Sequence, residues 1–237
     1  MSERSGSRGV LGRLRDAVCR VREDVAAIRD RDPAAGGTLD VLLFYPGMTA
    51  VWTHRVAHAL WRRNRRFGAR ALSHLVRLLT AVEIHPGAEL GRRVTIDHGA
   101  GVVVGETAEL GDDVHLYHGV TLGANRPQPG KRHPTVEANV VLGANSTVVG
   151  SVTVGERAVV GAGAVVTDDV PAGATMVGNP AERVDGVRAV ADDDEGGAVG
   201  GAATADADGT DVGGADADGA GVDDDADSAS RAPFRCS

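Results

Sequence analysis

Residues 136–166, VEANVVLGANSTVVGSVTVGERAVVGAGAVV, carry an aliphatic residue at every sixth position: Val136, Leu142, Val148, Val154, Val160 and Val166. A period of six fits neither an amphipathic helix nor an ordinary alternating strand. It does fit a hexapeptide β-helix, in which one short strand and one corner repeat and the aliphatic side chains stack in a column. Upstream, Ile84, Leu90 and Ile96 set one phase, and Val104, Leu110, Leu116 and Leu122 resume it two residues out of step. Small or β-branched residues stand four places on, at Ala88, Ala108, Val120, Ser146, Val152, Ala158 and Ala164. Glycines follow many of the aliphatic positions, where corners need permissive backbone. A sandwich of short strands would space its turns more loosely. The repeats therefore define a β-helix over 82–187, behind a region over 1–81 and ahead of a tail over 188–237.

Composition supports that division. Aromatic residues make up only 3% of the 237 residues, which suits a narrow interior of Val, Ile, Leu and Ala. The net charge of −8 is unevenly spread: residues 188–237 hold 13 acidic and 3 basic groups, leaving 20 acidic and 22 basic elsewhere. The body thus offers no basic stripe for nucleic acid. Cys19 and Cys236 lie near opposite ends without a motif, which argues against a disulfide framework or a zinc site and suits a reducing cytoplasm. No stretch is apolar enough to span a bilayer, and the first residues lack the apolar run of a signal peptide. The tail of Ala, Gly and Asp is too poor in large apolar groups to offset its ordering entropy and is expected to be disordered. Its Asp206-Ala-Asp208-Gly-Thr-Asp211 stretch lacks the remainder of a calcium loop.

In the N-terminal region, Leu11, Leu14, Val18, Val21, Val25 and Ile28 recur at helical spacing and predict a helix over 10–30 that ends before Pro33. Further helices are expected over about 49–63 and 68–79, with their arginines and His54, His58 and His74 on solvated or interhelical faces. Histidines within the repeats are more informative, because imidazoles do not help build a hexapeptide core. His98 lies where the phase slips by two residues, and such irregularities re-aim side chains. His133 ends the break at 123–134, a loop expelled from the solenoid and so free for binding. With some eighteen residues per coil, Glu83 and His98 are expected to be near neighbours, a carboxylate beside an imidazole that would serve as general base. His115 and His118 read as corner residues bonded to backbone.

Several segments resemble serine O-acetyltransferases: Asp32-Pro33-Ala34, Tyr45-Pro-Gly with His54-Arg55-Val-Ala-His58, Glu83-Ile-His85-Pro-Gly-Ala, and Ile96-Asp97-His98-Gly. So do Val104-Gly-Glu-Thr, His118-Gly-Val-Thr-Leu-Gly123, Lys131-Arg132-His133-Pro134 and Val177-Gly-Asn-Pro-Ala, together covering residues 30–187. The resemblance implies an α+β fold, with a short helical N-terminal region followed by a left-handed parallel β-helix. It implies acetyl transfer from acetyl-CoA to L-serine for cysteine biosynthesis, with acetyl-CoA as co-substrate and no bound cofactor or metal. By the same resemblance His98 takes the serine hydroxyl proton and Glu83, aspartate in many members, orients it. Asp32, Asp97, Arg132 and His133 hold serine, with the acids near its ammonium group and Arg132 on its carboxylate, whose geometry suits a guanidinium fork. Gly123, Ala144 and Ala162 are the implied contacts to coenzyme A.

The family usually reads Leu-Gly-Gly-Thr-Gly-Lys where this chain has Leu122-Gly123-Ala124-Asn125-Arg126-Pro127. The ending Phe234-Arg235-Cys236-Ser237 also lacks the terminal isoleucine of members that dock onto cysteine synthase. Coenzyme A binding in grooves between prisms implies a homotrimer, and the short helical region favours that over a hexamer. L-cysteine, differing from serine at one side-chain atom, is expected to inhibit in the serine pocket. Three alternatives stand: a hexapeptide acyltransferase for a sugar or another amino acid, a metal-dependent β-helix enzyme of the carbonic anhydrase type, and a non-catalytic scaffold.

Overall fold

The computed structural model describes residues 4–184. Four helices come first: α1 (Arg4–Arg31), α2 (Thr38–Phe44), α3 (Pro46–Arg62) and α4 (Arg66–Thr80). The strands that follow are two or three residues long and sort into three sheets. The first holds β1 (Glu83–Ile84), β4 (Val103–Val104), β7 (Thr121–Gly123), β10 (Thr147–Val149) and β13 (Val165–Val166). The second holds β2 (Glu89–Leu90), β5 (Glu109–Leu110), β8 (Thr135–Val136) and β11 (Thr153–Val154). The third holds β3 (Thr95–Ile96), β6 (His115–Leu116), β9 (Val141–Leu142), β12 (Val159–Val160), β14 (Thr175–Val177) and β15 (Glu182–Val184).

All pairings between these strands are parallel except that of β14 with β15, so the chain winds as a three-sided parallel β-helix. A two-residue strand has no stability alone, and it persists here because each coil buries the next. Ile84, Val104, Leu122, Val148 and Val166 stack in register inside the first sheet, all at most 4% exposed. Each such burial contributes roughly 1.5–3 kcal/mol. The two departures from the repeat are legible as coil lengths. From Ile84 to Val104 the chain takes twenty residues instead of the eighteen from Val104 to Leu122, and the extra pair sits in the turn after Asp97. From Leu122 to Val148 it takes twenty-six, which expels the loop 124–134.

The helical cap packs α3 against β1 and β3, and α4 against α3 and β1. Met48, Val51 and Val76 join Val82, Ile84 and Ile96 in one core. Asp24 of α1, 1% exposed, accepts from Trp52 Nε1 at 2.9 Å and pairs with Arg55 at 3.2 Å. Burial pushes its pKa up against the opposing pull of Arg55. The Arg31 guanidinium then bridges two coils, donating to Thr95 Oγ1 at 3.0 Å and to the carbonyls of Arg93 and Asp113 at 3.3 and 3.1 Å.

Several expectations are corrected. Helix α2 was missed because its seven residues are too few to show a period, and α3 begins three residues early because Pro46 suits a first helical turn. Of the solvated and interhelical placements expected for the cap histidines, His54 takes the interhelical one, buried beside Ser73 and Val76 of α4, and His58 bonds through Nδ1 to the Pro86 carbonyl at 2.9 Å. His115 lies on β6, not at a corner, and meets the Thr95 hydroxyl at 2.7 Å. The tail and its expected disorder lie outside the described residues. No helix among the described residues is long and apolar enough to cross a membrane.

Candidate active site

The residues singled out above fall into two clusters, on the two edges of the first sheet. The first cluster occupies the corner that leads from the third sheet into the first. There the two additional residues of the first coil displace His98 outward: the Gly119 amide bonds to Ala100, not to the residue after His98. The His98 side chain is therefore 77% exposed, with Nε2 3.7 Å from Asp97 Oδ2. Its φ of 58° is left-handed, but Arg93, Asp113, Asn139, Asn145 and Arg157 share that conformation at other corners. The conformation belongs to the corners and marks no strain peculiar to His98.

Asp32 reaches the same corner from the end of α1. Its Oδ1 accepts the Ala34 amide at 2.8 Å, and its Oδ2 accepts a short hydrogen bond from the Tyr45 hydroxyl. The Tyr45 bond, then the Ala34 bond, hold its carboxyl below the usual aspartate range, with His98 close enough to add to the effect. The Tyr45-Pro46-Gly47 segment lies flat on β3. A Cβ on Gly47 would stand 2.1 Å from the Ile96 carbonyl oxygen, so no side chain fits between this segment and the strand that ends just before Asp97. His118, one coil on, sets its ring edge-on to that of His98 with centroids 6.2 Å apart. Its Nδ1 is buried without a hydrogen-bond partner, contrary to the backbone bond expected of it.

The second cluster occupies the corner from the first sheet into the second, where Lys131-Arg132-His133-Pro134 folds back over Glu106 and Thr107. Thr107 organises it. Its hydroxyl accepts from the amides of Arg132 and His133 at 3.1 and 3.2 Å, and its carbonyl accepts from Lys131 Nζ at 2.9 Å. Its amide donates to His133 Nδ1 at 3.2 Å, so Nδ1 is the acceptor and the neutral ring carries its proton on Nε2. His133 is only 8% exposed, so it is a fixed element of the site and not the free loop residue expected. Burial first, then Arg132, pushes its pKa down. Arg132 pairs with Glu106 Oε2 at 2.5 Å, and that bond holds the Glu106 carboxyl below its usual range. Gly105 makes room for the imidazole: a Cβ there would lie 1.9 Å from His133 Cδ2.

Glu83 does not complete the expected pair with His98. Its amide bonds to the Val102 carbonyl at 2.9 Å, so it does lie beside the loop that carries His98. Its carboxylate instead pairs with Arg77 of α4 at 3.0 Å, across a polar cleft of about 130 Å³ lined also by Arg70, Ser73, His74 and His85. The three expected coenzyme A contacts are likewise divided. Ala144 and Ala162 continue the corner column of His118, through the Asn145 amide on His118 O and the Gly163 amide on Ala144 O, both at 2.8 Å. Gly123 ends β7 on the opposite edge of the sheet. Thr107, Glu106, Gly105 and Gly47 were not singled out in advance, although the Val104-Gly-Glu-Thr and Tyr-Pro-Gly segments contain them. No group of three or more metal-ligating side chains occurs among the described residues.

Comparison with known proteins accords with this arrangement. Residues 4–53 match the family described as serine acetyltransferase, N-terminal, and residues 135–168 match the hexapeptide repeat of succinyl-transferase. The chain is 54% identical over 164 residues to the serine acetyltransferase of Mycobacterium tuberculosis, covering 69% of this chain and 72% of that one. Among solved structures, Neisseria gonorrhoeae serine acetyltransferase in complex with serine superposes with a TM-score of 0.69 at 39% identity, covering 71% and 69% of the two chains. A serine acetyltransferase in complex with cysteine gives 0.70 at 38% identity, covering 72% and 70%. With the helical cap, the hexapeptide coils and this level of identity, the chain belongs to the serine acetyltransferase family.

Proposed function

We propose that the protein transfers the acetyl group of acetyl-CoA to the hydroxyl of L-serine, giving O-acetylserine and free coenzyme A. The observation that carries this reading is an exposed imidazole, His98, flanked by Asp97 and Asp32 in a chain 54% identical to a serine acetyltransferase. His98 removes the proton from the serine hydroxyl as that oxygen attacks the thioester carbonyl. The tetrahedral intermediate collapses, the carbon–sulfur bond breaks, and the imidazolium returns its proton to the departing thiolate. The oxyanion needs a donor. Placing the His118 proton on Nε2 avoids burying an unpaired N–H at Nδ1 and leaves such a donor beside His98. The small column above it, Ala144 and Ala162, leaves room for the pantetheine arm.

Asp32 and Asp97 receive the ammonium group of serine, and Arg132 and His133 its carboxylate. Glu83 serves as an orienting carboxylate once it leaves Arg77. That exchange is inexpensive, because the ion pair is about half exposed and such pairs are worth roughly 0–1 kcal/mol. The two clusters lie on opposite edges of one sheet face, so a single site takes His98 from one subunit and Arg132 from the next. The face between them presents Val103, Thr121, Thr147 and Val165, with no charge beyond Glu83. Beside it α4 exposes Phe67, Leu75, Leu78 and Leu79, each at least 53% accessible. A cyclic trimer covers these faces, joins the half-sites in a heterologous contact, and leaves no open end. The coil is read as left-handed and the compartment as the cytoplasm, in keeping with the family. L-cysteine inhibits from the serine pocket, since groups that grip ammonium and carboxylate cannot exclude it.

Coenzyme A release, followed with serine, threonine, homoserine and hydroxylated sugars as acceptors, tests the assignment. Serine should give the highest kcat/KM. A tenfold preference for a sugar or another amino acid would replace it.

A further inference from the structure

Tyr45 stands in the first cluster, yet the reaction assigns it no step. We infer that Tyr45 is a positioning residue whose hydroxyl sets the Asp32 carboxylate, so that Asp32 and Asp97 converge on the α-ammonium group of the acceptor. The inference rests on reading this cluster as the ammonium pocket of the serine site.

The backbone of Asp32 is fixed independently of Tyr45. Its amide bonds to Ile28 O at 2.8 Å as the last bond of α1, and its carbonyl accepts the Ala35 amide at 3.1 Å. Arg31, the preceding residue, is held on two coils by the bonds described above. The carboxylate rotamer is what remains to be set, and two groups among the described residues hydrogen-bond to it. The Ala34 amide takes Oδ1 and the Tyr45 hydroxyl takes Oδ2. Without the second bond, Oδ2 can rotate toward water and away from Asp97.

Tyr45 is itself held firmly. Its carbonyl accepts the amides of Met48 and Thr49 at 3.1 and 3.2 Å at the start of α3, and Gly47 seats the segment on Ile96. Burial, the Asp32 bond and the nearby charges of Asp32, Asp40 and Asp97 push the phenol pKa up. The hydroxyl therefore keeps its proton and remains a donor throughout the working pH range. A phenylalanine would retain the ring and its packing while removing only that donor.

The test is a double-mutant cycle in the full-length enzyme, with Tyr45→Phe, Asp32→Asn and both together, measuring kcat and KM for serine and for acetyl-CoA alongside Tm. Tyr45→Phe should raise the serine KM roughly 10- to 150-fold, the effect of one hydrogen bond to a charged group. Its kcat should stay within twofold and its KM for acetyl-CoA should not move. Asp32→Asn should raise the serine KM at least as much, and the double variant should match Asp32→Asn, because Tyr45 acts only through the carboxylate. A double variant whose KM rise is the product of the two single effects overturns the inference, as does an unchanged KM in Tyr45→Phe when Asp32→Asn is impaired. If Asp32→Asn binds serine normally, the ammonium pocket is misplaced and the inference falls with it. A lowered Tm with kcat and both KM values changed together would show a structural role instead.

Discussion

Substituting Gly105 by alanine tests the second cluster without replacing any group that contacts substrate. The added methyl would stand 1.9 Å from His133 Cδ2 and 2.1 Å from Nε2, where carbon contacts normally settle at about 3.5–4.0 Å. Gly105 is not among the residues with positive φ, so alanine suits its backbone and the perturbation is purely steric. The ring must retreat by about 1.5 Å, and in doing so it gives up the Thr107 amide and hydroxyl at 3.2 and 2.9 Å. Each hydrogen bond is worth about 1 kcal/mol, and overpacking costs about 1–3 kcal/mol. The inward-facing residues Val104 and Ala108 are untouched, so the coils should survive with a Tm several degrees lower. Activity should suffer more, since a displacement near 1 Å at a binding group costs on the order of 10²-fold. Coenzyme A release against serine concentration, with a thermal melt on the same sample, reads both effects. In a His133→Ala background the clash disappears, and Gly105→Ala should cost nothing further. A Gly105→Ala enzyme whose kcat/KM for serine stays within twofold of the parent would refute the reasoning.

Other expectations follow from the same geometry. His98→Ala should lower kcat on the order of 10²–10⁴-fold, as for loss of a general base, whereas His133→Ala should fall mainly on the serine KM; the opposite pattern in steady-state kinetics reverses the two roles. Inhibition by L-cysteine should be competitive with serine and weakened by Arg132→Ala, and undiminished inhibition of that variant would locate cysteine at a separate site. Burial pushes His54 down to about 3 and His115 down to about 4, below the value of 6.5 expected once the chain unfolds. Between those values the unfolded chain takes up protons that the folded chain does not. Stability should therefore be level above about pH 6.5 and fall below it, by up to about 1.4 kcal/mol per pH unit for each histidine. Urea melts at pH 7.5, 6.5 and 5.5 measure this, and His54→Gln should flatten the slope.

The fold was legible because a hexapeptide coil writes its inward residues at a fixed interval, and both irregularities in that interval became visible features. The slip after Ile96 became the turn that presents His98, and the break after Leu122 became the loop that carries Arg132 and His133. Less of the site could be read, for two physical reasons. Groups that act by holding other groups, such as Thr107 on His133 or Tyr45 on Asp32, show themselves only when segments 26 or 13 residues apart are brought together. Close approach is equally silent: nothing in the sequence distinguishes Gly105 and Gly47, which make room for a ring and a strand, from the corner glycines. Coil length brings Glu83 beside the loop after His98, where its amide bonds to the Val102 carbonyl. Its partner depended on which cation α4 brings nearby, and helix-to-coil packing is not written in the repeat.

The central claim is that the site is shared, with His98 supplied by one subunit and Arg132 by its neighbour. Co-expressing His98→Ala and Arg132→Ala chains tests it directly, since each variant alone lacks one half of every site. If the halves come from different subunits, random mixed trimers should recover about one quarter of the parental activity, the chance that an interface pairs two intact edges. If both residues serve the same subunit, every site remains defective and the mixture should be no more active than either variant alone.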